Sequence, residues 1–219
     1  MVDATMMAQV SENEGFIAAL DQSGGSTPAA LRLYGIADSS YVGEEAMFSL
    51  MHEMRVRIMT APAFSGEKVI GAILFERTMD GEAKGVPVPA YLWEQRGIVP
   101  FLKVDNGLAP EENGAQVLKP IPELSGRLSR AVEKGIFGTK MRSVIAYANR
   151  AGIAAVVKQQ FEIGRQILDF GLIPIIEPEV SISSASKREA EAILRDEVAR
   201  ELDALPPGEK VMLKLTIPA

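Results

Sequence analysis

Six short apolar runs alternate along the chain with longer stretches whose apolar positions recur every three or four residues. The runs, at 15–21, 69–76, 99–105, 136–142, 171–177 and 211–217, read as strands. Their near-continuous apolarity predicts strands buried on both faces of a parallel sheet covered by helices. After the first run, Gly24-Gly25-Ser26 predicts a turn, with Thr27 as N-cap and Pro28 at the first helical position of a short helix reaching Tyr34. The spacing of Met47, Leu50, Met54 and Ile58 predicts a helix over 43–58. A Gly- and Pro-rich loop at 78–90 leads to a short helix near Tyr91–Gln95, and a long loop through Asn113 and Pro120 precedes a helix at 121–134. Ile153, Val156, Val157, Phe161, Gly164, Ile167 and Leu168 make one apolar stripe over 152–170, with Gly171 as C-cap. Ser186-Lys187-Arg188-Glu189 has capping-box spacing, and the helix it opens carries Leu194, Val198, Leu202 and Leu205 before Pro206-Pro207-Gly208 stops it.

Strand and helix repeated in this way fit either a doubly wound sheet or a (β/α)8 barrel. The barrel needs eight strands and about 250 residues. The chain has 219 residues and six strand patterns, and it stops on the last of them. The expectation is one partial (β/α) barrel domain over 1–219 with the last two β/α units missing, through truncation or an incomplete gene model.

Composition narrows the chemistry. With 47% hydrophobic residues, the chain can bury one sizeable core, and a formal net charge of −6 argues against a nucleic-acid partner. There is no cysteine and one histidine, His52, so disulfides, a thiol nucleophile and a histidine-rich zinc site are excluded. The N-terminus lacks the basic-then-apolar order of a signal peptide, and no apolar run approaches the roughly 20 residues of a membrane span. A cytoplasmic location is the default expectation.

The chemistry-bearing residues cluster at the ends of the strand patterns. Lys214 interrupts Val211-Met212-Leu213-Lys214-Leu215-Thr216-Ile217, sharing a face with Met212 and Thr216. A lysine in such a run either meets a partner such as Glu177 or serves as an amine nucleophile toward a carbonyl. Glu177 and Glu179 share a face after Leu172–Ile176 and suit general acid–base work or ion pairing with Lys140, Lys103 or Lys214. Lys103 with Asp105, and Lys140 with Arg142, follow the third and fourth runs. Together the cations would suit an anionic, phosphorylated ligand, or ordinary ion pairs. Asp21-Gln22-Ser23-Gly24-Gly25-Ser26 joins a strand end to a helix start, where backbone N–H groups can hold phosphate, but it is neither GxGxxG nor a P-loop. His52 reads as a plain helix residue, and Met47, Met51, Met54 and Met59 as core filling. Charges at the C-terminal ends of several strands are the layout of a barrel active site.

At these residues the chain resembles class I fructose-bisphosphate aldolase in its shorter bacterial form. The matching stretches are GFIAALDQSGGSTP (15–28), GAILFERTMD (71–80), VPFLKVDNGL (99–108), IFGTKMRS (136–143), IPIIEPEV (173–180) and VMLKLTIP (211–218). The resemblance implies a (β/α)8 barrel that cleaves fructose 1,6-bisphosphate through a lysine imine, in glycolysis and gluconeogenesis, without metal or other cofactor. It implies Lys214 as the imine lysine and Glu177 as the proton shuttle. It implies Asp21 as the group that takes the C4-hydroxyl proton, Lys140 as a lysine that tunes the imine lysine, and Glu179 as a supporting carboxylate. Ser23, Ser26 and Lys103 match positions that hold the distal phosphate, and Arg142 matches a residue near the substrate. Gln22 stands where animal members carry glutamate. Family members are often homo-oligomers. The family's seventh-strand serine-glycine loop and eighth-strand arginine, which bind a phosphate, have no counterpart here, so the chain alone is expected to be weakly active or inactive. Alternatives are a class I aldolase for another sugar phosphate, a non-catalytic remnant that binds sugar phosphates, and a zinc-dependent aldolase disfavoured by the single histidine.

Overall fold

The computed structural model describes residues 3–23 and 27–219. They fall into two compact units, 1–103 with 130–137, and 104–129 with 138–219. No helix among the described residues is long and apolar enough to cross a membrane.

In the first unit, β1 (Phe16–Leu20), β2 (Val69–Leu74) and β3 (Val99–Lys103) run parallel, with β2 between the other two. Every residue of β2 is buried, as expected of an apolar strand with neighbours on both edges. An unforeseen helix, α1 (Ala4–Glu12), precedes them. Asp3 caps it, its carboxylate accepting from the Thr5 and Met6 N–H groups, which holds its pKa below the usual value with the Thr5 hydroxyl as the largest contributor. Helix α2 (Thr27–Leu33) begins at Thr27, and the residue before it lies outside the described residues. Helix α3 (Gly43–Thr60) buries Met47, Met51, Met54 and Met59, and the first three pack with Leu31. The expected loop at 78–90 contains a two-residue hairpin, Glu82–Ala83 with Val86–Pro87, turned by Lys84 and Gly85 at φ +52° and +76°.

In the second unit, β4 (Gly138–Ile145), β5 (Ile173–Val180) and β6 (Met212–Leu213) are parallel, and β5 pairs with both others. Ala115–Gln116 adds an antiparallel pair beside the end of β4. Helix α4 spans Leu124–Glu133. Helix α5 (Arg150–Asp169) turns its apolar stripe inward, and Gly171 just beyond it has φ +74°, the left-handed conformation that ends helices. Gly152 has no room for a side chain, since a Cβ there would lie 2.3 Å from the Asn113 carbonyl oxygen. Helix α6 (Lys187–Asp203) buries Leu194 and Val198.

Three local expectations are corrected. Strands β4 and β5 do not stop at their charges but continue through them to Ile145 and Val180, because the residues alternating with the charges remain apolar or small. The last strand holds its ladder only over Met212–Leu213, and Leu213, Leu215 and Ile217 are exposed, since among the described residues β6 has a partner on one edge only. Ser186 does not form a capping box: its hydroxyl accepts from the Ala148 N–H instead, at 2.8 Å, and caps nothing in α6.

Candidate active site

Strand register brings the charges of the second unit onto one face. In the parallel pair β4–β5, Lys140 lies opposite Ile175, Arg142 opposite Glu177 and Val144 opposite Glu179. In β5–β6, Ile175 lies opposite Met212 and Ile176 opposite Leu213. Side chains alternate along each strand and partners share a side, so Lys140, Arg142, Glu177, Glu179 and Lys214 all project from the same face. The opposite face carries Pro174 and Ile176, which meet α5 at Gly164.

Glu177 is the centre of this cluster. Lys214 Nζ donates to its Oε1 at 2.6 Å, and Lys140 Nζ lies 3.2 Å from its Oε2. The Glu177 and Lys140 side chains are 6% and 7% exposed, whereas that of Lys214 is 46% exposed. The partner expected for Lys214, Glu177, is in place, and the lysine side chain is half open. Among the described residues its strand has a partner on one edge only, and it is Glu177 that is buried. The arrangement is a buried carboxylate with an ammonium on each oxygen, one sealed inside and one open to a ligand. Such a carboxylate can take a proton from the accessible amine and return it.

The backbone of Glu177 is fixed by a residue the sequence reading passed over. Gln160, fully buried on α5, accepts from the Glu177 N–H at 2.8 Å and donates to the Glu177 carbonyl at 3.0 Å. The sequence carries only a faint signal of it, a lone polar residue at the spacing of the apolar stripe, which by itself reads as the stripe's edge. Farther along the same strand face, Arg142 Nη1 lies 3.3 Å from Glu179 Oε2, both side chains being part exposed. Asp105 is buried, and its carboxylate accepts from the Gly107 and Arg142 N–H groups.

The remaining predicted residues belong to the first unit. Asp21 follows β1 and is buried, Ser23 comes two residues later, and Lys103 ends β3. Ser26 lies outside the described residues. Arg55, unremarked in the sequence reading, is almost wholly buried in α3 and donates to Thr78 Oγ1 at 2.6 Å and to the Gln22 carbonyl at 2.5 Å. Burial pushes its guanidinium down to about 10, and the charge of Asp21 opposes that shift. His52 sits half-buried over Gly81 with Nε2 3.0 Å from the Glu82 carbonyl oxygen, a structural role as expected. Among the described residues no group of three His, Asp or Glu side chains is placed to hold a metal ion.

A family model described as glycolytic fructose-bisphosphate aldolase class-I matches residues 7–205. Over 212 residues the chain is 55% identical to fructose-bisphosphate aldolase class 1 of Synechocystis sp., covering 97% of this chain and 71% of that protein. It is 54% identical to the protein of the same name from Porphyromonas gingivalis, covering 97% of this chain and 72% of that one. Among solved structures it is similar to fructose-bisphosphate aldolase from Plasmodium falciparum, in complex with TRAP and a small molecule inhibitor, with a TM-score of 0.66 and 20% identity. That alignment takes in 97% of this chain, which spans 62% of the length of its counterpart. The likeness gives the fold class: an α/β protein carrying six of the eight strands of a (β/α)8 barrel.

Proposed function

The chain belongs to the class I fructose-bisphosphate aldolase family, and on that premise we propose that it cleaves fructose 1,6-bisphosphate reversibly through an imine on Lys214. The observation that carries this reading is the placement of Glu177 between a half-exposed and a buried lysine, 2.6 Å from Lys214 Nζ and 3.2 Å from Lys140 Nζ.

Glu177 takes a proton from Lys214, and the neutral amine attacks the C2 ketone. The carbinolamine loses its oxygen as water when Glu177 returns the proton, leaving an iminium. That cation accepts the electron pair of the C3–C4 bond as it breaks, while the C4 hydroxyl gives up its proton and glyceraldehyde 3-phosphate departs. The enamine left on Lys214 is protonated at C3 and hydrolysed to dihydroxyacetone phosphate. Lys140 holds the second oxygen of Glu177, and Arg142 with Glu179 lines the same strand face. By sequence match to the family, Asp21 receives the C4-hydroxyl proton, and Ser23, Ser26 and Lys103 hold the distal phosphate. The reading includes a sugar phosphate as the small-molecule partner, no cofactor and a cytoplasmic location.

The test is a coupled assay of dihydroxyacetone phosphate release from fructose 1,6-bisphosphate, with and without a chelator. Chelator-insensitive cleavage that Lys214→Met abolishes supports the reading. Cleavage that survives Lys214→Met, or that stops with chelator, contradicts it. Fructose 1-phosphate and other ketose phosphates in the same assay decide substrate preference.

A further inference from the structure

Lys187 is an unusual cation. It stands at the first residue of α6 and is 9% exposed. A helix N-terminus disfavours positive charge, and burial disfavours it further. Its ammonium is satisfied by two groups: the carboxylate of Glu191 one turn along the helix, and the Ile217 carbonyl oxygen at 2.6 Å. Glu191 in turn accepts from the Ala219 N–H at 3.1 Å.

The segment these groups hold is the one that carries Lys214. Its ladder with β5 consists of the Met212 and Leu213 pairs and the Lys214 N–H to Ile176 carbonyl bond at 2.9 Å. Apolar packing contributes little beyond that point, since Leu215 and Ile217 are 54% and 80% exposed. What fixes the continuation is polar: Thr216 Oγ1 to the Val180 carbonyl at 2.8 Å, and the contacts of Lys187 and Glu191.

We propose that Lys187, braced by Glu191, is a positioning residue for Lys214, holding the strand that carries the amine so that its Nζ stays against Glu177. The proposal rests on the reading of Lys214 as the imine lysine. Lys187 touches neither Lys214 nor Glu177 in the hydrogen bonds described; it acts on the backbone beyond them. A misplacement of about 1 Å at a reacting group costs on the order of 100-fold in rate, so a loose strand would be expressed in chemistry before it was expressed in folding.

The experiment compares the unmodified chain with Lys187→Met and Lys187→Arg. Amide hydrogen exchange is read over 212–219, and the rate of borohydride-trapped adduct formation on Lys214 is read with dihydroxyacetone phosphate. Lys187→Met is expected to speed exchange over 214–219 and to slow adduct formation roughly 10- to 100-fold, with exchange in β1, β2 and β3 unchanged. Lys187→Arg, which still donates to Ile217 and pairs with Glu191, is expected to restore both. An unchanged adduct rate in Lys187→Met overturns the proposal even if exchange rises, because the residue is then merely structural. No adduct in the unmodified chain overturns the imine reading itself and the proposal with it, a result distinct from the first. Should Lys187→Met not fold, Glu191→Ala removes the brace from both Lys187 and Ala219, and the same two readouts decide.

Discussion

The side-chain amide of Gln160 exchanges two hydrogen bonds with the backbone of Glu177, and both groups are buried. The bonds occupy one donor and one acceptor on β5 at the residue whose carboxylate meets the two lysines. Replacing Gln160 by Leu keeps the volume and leaves the Glu177 N–H and C=O without these partners. Each such group costs about 1–3 kcal/mol, so Gln160→Leu is expected to lower unfolding stability by roughly 2–6 kcal/mol in urea titration. A loss below about 0.5 kcal/mol, within the range of ordinary surface substitutions, would contradict the role given to Gln160.

Lys140 and Glu177 form a buried ion pair with Nζ 3.2 Å from Oε2, and neutralising Glu177 breaks it. Glu177→Gln is expected to cost about 3–5 kcal/mol, the range for breaking a buried pair. Lys140→Met added to it is expected to cost less than the sum of the two single changes, because either change alone already removes the Lys140–Glu177 contact. Denaturation of the two single variants and the double variant checks this. Strict additivity would mean that the 3.2 Å contact carries no coupling.

The brace on the last strand has a pH signature. The Lys187 hydrogen bond, and after it the Ala219 N–H, hold the Glu191 carboxyl below its ordinary value of 4.5, with the charges of Lys187 and Arg188 acting in the same direction and burial against it. A carboxyl depressed on folding adds stability that is fully present above its unfolded value and lost as pH falls through the folded one. The unmodified chain is therefore expected to lose stability as pH drops below about 4.5, and Glu191→Gln to lose less over the same window. Thermal melts at a series of acid pH values test it, and parallel curves for the two proteins would contradict the assignment.

How much of this was legible in the sequence depends on what each residue had to announce itself against. Lys214 and Glu177 stand out because a charge interrupts an apolar run, and alternation pairs Glu177 with Glu179 on one face; that Lys214 shares that face follows only from the strand register. Gln160 and Arg55 did not stand out, since a single polar residue within a helical stripe reads as the stripe's edge. Their partners are also backbone carbonyls whose positions exist only once the chain is folded. The exposure of Lys214 was not legible, because the apolar pattern of 211–217 reports what a strand can bury, not which neighbours cover it. Ser186 failed for a related reason: the spacing Ser-x-x-Glu is local, but the Ala148 N–H that took its hydroxyl comes from 38 residues away. Helix α1 gave too little warning because it is only nine residues long and buries only Met6.

The central claim is that Lys214 is the amine that forms the imine. The direct measurement is borohydride reduction of the purified chain in the presence of dihydroxyacetone phosphate, followed by mass spectrometric mapping of the adduct, with Lys214→Arg as the control. The account predicts one adduct on Lys214 that is absent from the control. An adduct on another lysine, or none from a chain shown to be folded, would contradict it.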